Sequence, residues 1–223
     1  MILAIDTSTE WIGLAVLDGT QVLAESVWRS KNYHTIELVP AIEDMLTRSQ
    51  LTRANLSAVA VATGPGSFTG LRIGMAAAKG IALALNIPLV GIPSLDIQAL
   101  TQPAMRRPMI CLLKVGRGRF AYARYVYGKG QWKRQGEVQV DEPKAIAATI
   151  TSPVFVCGEM GAAERQVLGR KWKTAKLASP SQAMRRPSVL AELAAQRLKA
   201  KDVDDPATLS PIYVHTLSNV PDV

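Results

Sequence analysis

The sequence predicts an α/β protein of two similar lobes, each built on a mixed β-sheet. Residues 2–62 have the pattern of three strands, a helix and a strand, and residues 109–157 repeat that order without repeating the sequence. Charge divides the chain in the same way. Residues 1–100 hold 6 Lys or Arg and 8 Asp or Glu, whereas residues 101–223 hold 20 and 10. This contrast indicates two segments with different surfaces.

The first half alternates strands and helices after an antiparallel opening. Asp18-Gly19 is a hairpin turn signal between two apolar runs. Apolar residues at helical spacing then predict two helices separated by a buried strand. The predicted strands are residues 2–5, 12–17, 21–28, 56–62 and 87–90, and the predicted helices are 35–48 and 68–85.

A domain boundary is predicted at residues 101–108, which hold two prolines and two arginines without periodicity. We assign residues 1–103 to an N-terminal lobe and 104–201 to a smaller basic lobe. We expect the tail, from about 202 to 223, to pack back on the first lobe. The predicted strands of the second half are 109–115, 119–127, 131–140 and 154–157, and its helices are 143–150 and 188–201.

Composition excludes several classes of protein. With 48% hydrophobic and 20% charged residues, the 223-residue chain is not of disordered composition, and its formal charge of +8 raises nucleic acid as a partner. Two cysteines exclude a disulfide scaffold. The N-terminus has no secretory signal, and Lys79, Asn86 and Pro88 interrupt the most apolar window, so we expect a cytoplasmic protein without a membrane span.

The first candidate site is the turn Asp6-Thr7-Ser8-Thr9, between the first two strands. Its hydroxyls and amides have the composition of a phosphate-binding turn, in which the carboxylate would position a metal-bound water. The alternative is an Asx turn that closes a hairpin, with Asp6 satisfied by local amides.

A glycine-rich loop from strand to helix, TGPGSFTG at residues 63–70, is the second candidate. It presents amides and a helix N-terminus to an anion through Gly64, Gly66, Ser67, Thr69 and Gly70. No Gly-Lys-Ser/Thr follows, so it is not a Walker A loop. The alternative is a tight connection with Ser67 or Thr69 as N-cap.

Metal and nucleophile sites are not predicted. His34 has no second histidine one turn away, so we interpret it as packing at a helix N-terminus. Basic residues with interspersed aromatics favour a phosphate-binding surface in the second half, with ordinary solubilising charge as the alternative. They are Arg106, Arg107, Arg117, Arg119, Lys133, Arg134, Arg170, Lys171, Lys173, Lys176, Arg185 and Arg186.

Four segments resemble the TsaB family, formerly YeaZ: AIDTST, NYHTIELVPAIEDML, VATGPGSFTGLRIGMAAAKGIALALNIPLVGIPSLD and PIYV. The resemblance is close over the first hundred residues, and residues 64–74 are its most specific part. It implies the two-lobed actin/Hsp70-like fold (ASKHA, ribonuclease H-like). ATP-using proteins of that fold have an Asp-x-Gly phosphate loop in the second lobe. The strand end that we match to it, residues 157–161, has no Asp, so the resemblance implies half of a nucleotide site.

The resemblance also implies a function. TsaB proteins are non-catalytic partners of the enzyme TsaD, with TsaE as a third member, in N6-threonylcarbamoyladenosine modification of tRNAs reading codons that begin with A. We therefore expect no catalysis by the isolated chain, no tightly bound cofactor, nucleotide only in complex with TsaD, and tRNA contact through that complex. The alternative is a small ATPase or sugar-kinase-like enzyme that uses Asp6 and the GPGSFTG loop.

By the same resemblance, the helices at 35–48 and 68–85 pack against the same helices of TsaD, or against a second copy of this chain. Small residues would allow close helix approach, and apolar residues would be buried there. The alternative is that both helices cover only their own sheet. The implied partner residues are His34, Leu38, Ile42, Met45, Gly70, Arg72, Gly74 and Ala78.

Overall fold

Two five-stranded mixed sheets form the framework of the protein. The computed structural model describes residues 1–31, 33–171 and 173–214. The first sheet contains β1 (Ile2–Asp6), β2 (Trp11–Asp18), β3 (Gln21–Arg29), β4 (Ala58–Gly64) and β5 (Leu89–Pro93). The second contains β6 (Met109–Gly116), β7 (Arg119–Gly128), β8 (Gln131–Asp141), β9 (Val154–Gly158) and β10 (Ala175–Leu177). The helices are α1 (His34–Arg48), α2 (Phe68–Leu85), α3 (Ser94–Leu100), α4 (Pro143–Ala148), α5 (Ala162–Gly169) and α6 (Pro187–Lys199).

The two sheets have the same topology. The strand order is β3-β2-β1-β4-β5 in the first and β8-β7-β6-β9-β10 in the second. In each sheet the first three strands are antiparallel, and the fourth pairs parallel with the first. The predicted α/β class and the structural repeat of the two halves are confirmed.

This topology corrects one correspondence drawn from the sequence. Because β9 pairs parallel with β6 as β4 does with β1, the loop after β9 is the counterpart of the glycine-rich loop after β4. The counterpart of the Asp6–Thr9 turn is Gly116-Arg117-Gly118, between β6 and β7. Our match of residues 157–161 to the second phosphate loop is therefore wrong. The turn at that place also has no Asp.

Helices α3 and α6 cross between the lobes, which differs from the division at residue 103. Leu190, Ala191 and Ala194 of α6 lie in a core cluster with strands of the first sheet, so α6 belongs to the first lobe and not to the second. Leu95 and Ala99 of α3 lie in the core of the second sheet, whereas Ile97 of the same helix lies in the cluster that α6 shares with the first sheet. Sequence position alone does not indicate which sheet either helix packs against.

Helices α1 and α2 cover the outer face of the first sheet. Leu38, Ile42 and Met45 of α1 are between 1% and 7% exposed and share one core with Met75 and Ala78 of α2. By length and composition alone, α2 is the one helix in the described part of the chain that is apolar enough to cross a bilayer. In this fold its inner side contributes to the core of the lobe.

The predicted helix at 68–85 is confirmed with the same ends. Ser67 Oγ accepts a hydrogen bond from Gly70 N at 3.3 Å, and Asn86 ends the helix in the left-handed region. Helices α3 and α5 and strand β10 were not predicted from the sequence. They have 7, 8 and 3 residues, so their apolar pattern is too short to stand out.

Glycines on one side of α2 pack against the β1–β2 turn. A Cβ at Gly74 would lie 2.1 Å from Thr7 Oγ1, and one at Gly70 would lie 2.3 Å from the Thr7 carbonyl oxygen. The Thr7 hydroxyl donates to the Gly70 carbonyl at 2.7 Å. These glycines therefore allow α2 to approach the turn closely.

Two substitutions in α2 test this close approach. Gly74→Ala should lower the free energy of unfolding by about 1–3 kcal/mol, because the new methyl group displaces the Thr7 side chain and its hydrogen bond. Gly80→Ala should raise it by about 0.8–1 kcal/mol, because a Cβ there meets nothing within 4 Å. Denaturant unfolding measures both, and equal effects of the two substitutions would contradict the packing role of Gly74.

Candidate functional site

The β1–β2 turn is an Asx turn with its carboxylate buried. Asp6 Oδ1 accepts hydrogen bonds from the Ser8 amide at 2.9 Å and from the Ser8 hydroxyl. The side chains of Thr7, Ser8 and Thr9 are also buried. The local geometry is therefore that of the Asx turn, the alternative given above, in which Asp6 accepts hydrogen bonds from neighbouring groups.

The glycine-rich loop lies directly on this turn, so the structure brings the two candidate motifs together. The Ser67 amide donates to the Ser8 carbonyl at 2.6 Å, and a Cβ at Gly66 would lie 2.0 Å from that carbonyl oxygen. Ser94 Oγ accepts from the Gly64 amide at 3.1 Å and donates to Ser8 Oγ at 2.8 Å. The amides of Gly64, Ser67 and Gly70 are thus engaged within the protein, and Ser67 is the N-cap.

Arg185 closes the cleft between the lobes. Its Nε donates to Asp6 Oδ2 at 2.8 Å, and its Nη1 donates to Glu159 Oε1 at 2.5 Å. Its Nη2 donates to Thr9 Oγ1 at 3.0 Å, and that hydroxyl donates to Glu159 Oε1 at 2.6 Å. We call Asp6, Thr9, Glu159 and Arg185 the arginine cluster. It ties the β1–β2 turn to the loop after β9.

The arginine cluster sets the protonation of Asp6. Burial raises the pKa of the Asp6 carboxyl, but the Arg185 charge and the hydrogen bonds from Arg185 and Ser8 together hold that pKa below its ordinary value of 3.8. The side chains of Arg185 and Asp6 are only 3% and 4% exposed. The turn therefore keeps a negative charge at neutral pH, and the chain supplies its own counter-ion.

His34 supports the same turn from α1. It is 7% exposed, and its Nε2 donates to the Thr9 carbonyl at 2.9 Å. The expectation that it packs at a helix N-terminus agrees with this contact. In the described ranges, no group of three His, Cys, Asp or Glu side chains lies close enough to hold a metal ion.

Most residues implied as partner contacts are buried within the lobe. Leu38, Ile42 and Met45 lie in the first-lobe core, and Gly70 and Gly74 face Thr7. Ala78 is fully buried as well, and His34 faces Thr9. The assignment of these seven residues to a partner surface needs correction, because all of them are buried in the folded lobe, and of the seven only Leu38 lines the groove between the two helices. Arg72 alone of the set is exposed.

The solvent-facing side of α1 and α2 nevertheless carries large apolar side chains. Ile36, Val39, Phe68 and Leu83 are 68%, 54%, 54% and 67% exposed. A groove of about 510 Å³ runs between the helices, lined by Thr35, Leu38, Val39, Phe68, Thr69, Arg72, Ile73, Ala76 and Ala77. We call this surface the α1/α2 face.

The chain's tail packs beside this face. The Ile212 amide donates to the Thr63 carbonyl at 2.7 Å. Arg72 Nε donates to the Tyr213 hydroxyl at 2.9 Å, and the Arg72 guanidinium lies 3.9 Å from the centre of the Phe68 ring. The expected packing of the tail beyond residue 214, including His215, lies outside the described residues.

The two residues that pair with the β1–β2 turn across the cleft, Arg185 and Glu159, were not predicted as site residues. Arg185 was grouped with the basic surface, but it is 5% exposed, while Arg186 beside it is paired with Glu25 at the surface. Glu159 carried no signal at all. Arg185 is 179 positions from Asp6 and 26 from Glu159, so no local pattern links these side chains.

Comparisons with known proteins agree with this architecture. A family model described as "TsaD: tRNA N6-adenosine threonylcarbamoyltransferase" matches residues 21–203. The protein named tRNA threonylcarbamoyladenosine biosynthesis protein TsaB is 41% identical over 98 residues in Bacillus subtilis (strain 168) and 39% identical over 98 residues in Escherichia coli (strain K12). Each match covers 44% of this chain and 43% or 42% of the relative, so the chain spans less than half the length of these relatives.

A solved structure extends the likeness to the whole fold. YeaZ from Pseudomonas aeruginosa superposes with a TM-score of 0.75 over 95% of this chain and 99% of that one, at 22% identity. The two repeated mixed sheets and the cleft between them define a two-lobed actin-like protein in which an internal arginine is paired with the β1–β2 turn. The chain belongs to the family of the matching model and, within it, to the TsaB (YeaZ) proteins.

Removing Arg185 should destabilise the fold, because Asp6 and Glu159 would lose the cation that pairs with them. Arg185→Met should lower the free energy of unfolding at pH 7 by about 3–5 kcal/mol, because Asp6 and Glu159 keep their burial and lose their counter-ion. Arg186→Met, which removes an exposed arginine that pairs with Glu25, should cost about 1 kcal/mol or less. Denaturant unfolding measures both.

The pH dependence of the two proteins should differ in sign. In the wild type, the lowered pKa of Asp6 stabilises the fold above the unfolded-state pKa, and this stability is lost as pH falls through the folded pKa. In Arg185→Met, burial without a counter-ion raises the pKa of Asp6, so protonation relieves the penalty. The difference in free energy of unfolding between the wild type and Arg185→Met should therefore shrink between pH 7 and pH 4. A difference that stays constant over this range would contradict the role of Arg185 as the counter-ion of Asp6.

Proposed function

We propose that this chain is a non-catalytic partner of TsaD in the N6-threonylcarbamoyladenosine modification of tRNA. Support for the pathway comes from the relatives, which are named as TsaB proteins of tRNA threonylcarbamoyladenosine biosynthesis. The observation that carries the non-catalytic role is the pairing of Arg185, whose guanidinium donates hydrogen bonds to Asp6 Oδ2 and to Thr9 Oγ1. A phosphate bound to this turn would have to displace a buried, three-way paired arginine.

The proposal also covers the tRNA substrates, the third protein, the location and the ligands. The tRNAs are those reading codons that begin with A, TsaE is the third protein, and the site of action is the cytoplasm. The chain holds no cofactor tightly, and a nucleotide enters only in complex with TsaD. When TsaD is absent, two copies of this chain pair through the α1/α2 face.

The α1/α2 face is the surface that we assign to TsaD. Ile36, Val39 and Phe68 are each more than half exposed on neighbouring helices, and large exposed apolar patches mark protein contacts. Their burial by a partner removes apolar area from water without rearranging the lobe core beneath them. The close-packed glycine side of α2 then serves to hold this face in place.

The alternative function is a small ATPase or sugar-kinase-like enzyme. It requires Asp6 to position a metal-bound water and the glycine-rich loop to bind phosphate. Asp6 Oδ2 is instead bonded to Arg185, and the Ser67 amide is bonded to the Ser8 carbonyl. These contacts favour the partner function over the enzyme.

A charge on the α1/α2 face should prevent association with TsaD. Val39→Glu should weaken co-elution with TsaD from the same cell by about tenfold or more, because a carboxylate would be buried against an apolar partner surface. Thermal unfolding of the isolated chain should change little, since Val39 is 54% exposed.

The matched control is Val22→Glu on β3, where the valine is 43% exposed and lies outside the groove. It should leave co-elution with TsaD unchanged. Equal co-elution of both variants with TsaD would argue against the α1/α2 face, and absence of TsaD binding by the wild type would argue against the whole proposal.

The basic second lobe is the side that we assign to tRNA within the complex. Arg170, Lys171 and Lys173 line one shallow depression there. Lys171→Glu with Lys173→Glu should weaken tRNA retention by the complex by about tenfold or more and leave the TsaD contact intact, since phosphate contacts act through charge. Lys199→Glu with Lys201→Glu, the same charge change on the first lobe, is the control. Equal loss of tRNA in both double variants would contradict the assignment.

A further inference from the structure

Basic side chains collect at one end of the second sheet. Met109, at the start of β6, pairs with Phe155 of β9 and with Tyr125 near the end of β7, and β10 begins beside β9, so these strand ends lie together. The loop after β9, which holds Glu159, lies at the opposite end, so this surface faces away from the cleft. We call its exposed cations the basic end. They are Arg106, Arg107, Lys129, Lys133, Arg134 and Arg170.

The charge of the basic end is not neutralised by the described residues. None of its six cations forms an ion pair with a residue that the structure describes. The next acidic residue along β8 is Glu137, in the middle of the strand, and Asp141 lies at the other end of β8. Concentrated positive charge attracts a polyanion, and Lys and Arg contacts to phosphate supply the sequence-independent part of nucleic acid binding.

An exposed aromatic ring stands among these charges. Tyr127, at the end of β7, is 38% exposed and lies opposite Trp132 of β8. The two rings meet edge to face with their centroids 5.4 Å apart, and the Trp132 indole donates to the Gln102 carbonyl at 3.2 Å. Because Trp132 is only 7% exposed, it holds the Tyr127 ring in a fixed place and leaves part of that ring open to solvent.

Two arginines of the basic end lie near this ring. Arg134 is opposite Tyr125 and two residues from Trp132, so it is on the face of the sheet that carries Tyr127. Arg107 is two residues before Met109, which lies opposite Tyr125 on the other side of β7. Phosphates bound by these arginines would therefore place a base beside Tyr127.

A ring with phosphate-binding neighbours is the arrangement that recognises unpaired nucleotides. A base inside a double helix is covered on both faces by its neighbours, whereas an unpaired base can stack on an aromatic side chain. Contacts to phosphate carry no sequence information and would bind single and double strands alike. The Tyr127 ring therefore favours an unpaired segment of RNA.

We propose that the basic end binds an unpaired segment of tRNA, with one base stacked on Tyr127 and the adjoining phosphates at Arg107 and Arg134. The proposal rests on the proposed function, which supplies the tRNA and TsaD, and it adds a residue that distinguishes unpaired from paired RNA. Arg170 belongs both to the basic end and to the depression assigned to tRNA above, so the two form one surface.

The affinity for tRNA of the complex between this chain and TsaD, measured by filter binding over a range of salt concentrations, tests the proposal. Tyr127→Ala should weaken binding by about tenfold at every salt concentration, because a stacking contact carries no charge. Tyr127→Phe is the matched control and should bind tRNA as the wild type does. It keeps the ring, and the Tyr127 hydroxyl makes no hydrogen bond with a described residue.

Arg107→Ala should act through charge instead. It should lower the slope of log affinity against log salt concentration by about 0.7, the value for one contact to a single-stranded phosphate, so that its effect fades at high salt. Lys199→Ala, on α6 of the first lobe, removes a charge outside the basic end and should change neither the affinity nor the slope.

Co-elution with TsaD and circular dichroism verify that each variant keeps the complex and the fold. Wild-type tRNA affinity in Tyr127→Ala, or equal losses in Tyr127→Ala and Tyr127→Phe, would overturn the stacking proposal and leave the partner function in place. Loss of TsaD rather than tRNA in Arg107→Ala would make the basic end a protein contact and would also overturn it. Failure of the wild type to co-elute with TsaD would overturn the proposed function itself, and this proposal with it.

Discussion

The buried guanidinium of Arg185 is the interaction on which the cleft depends. A charge in a site of low dielectric constant persists only when opposite charges and hydrogen bonds compensate its lost hydration. Asp6 from the first sheet and Glu159 from the loop after β9 supply that compensation. Since the partners come from both lobes, the electrostatic requirement of one side chain also fixes how the cleft closes.

Close packing around the β1–β2 turn complements this charge. Gly66, Gly70 and Gly74 bring the glycine-rich loop and α2 within contact of Thr7 and Ser8. The polar groups of Thr7 and Ser8 form hydrogen bonds within the protein: the Thr7 hydroxyl donates to the Gly70 carbonyl, and the Ser8 carbonyl accepts from the Ser67 amide. A turn whose composition suits phosphate binding is thus converted into a structural joint, and α2 presents its opposite, apolar side to solvent.

Much of the fold could be predicted from the sequence because periodicity is a local property. Ser67 and the residues up to Leu85 define α2 with its observed ends. The small residues Gly70, Gly74 and Ala78 of that helix were expected to allow close helix approach, but the sequence does not indicate what lies against them. The contact is the turn at Thr7, more than sixty positions away. The role of Arg185 was not predicted for the same reason, because its contacts with Asp6 and Glu159 form only in the folded chain.

Hydrolysis of adenosine triphosphate by the purified chain tests the central claim most directly. If Arg185 permanently occupies the Asp6 turn, the wild type should release phosphate no faster than buffer, and Asp6→Asn should behave in the same way. Sustained turnover by the wild type that is lost in Asp6→Asn would contradict the account, because Asp6 would then be free to act in catalysis.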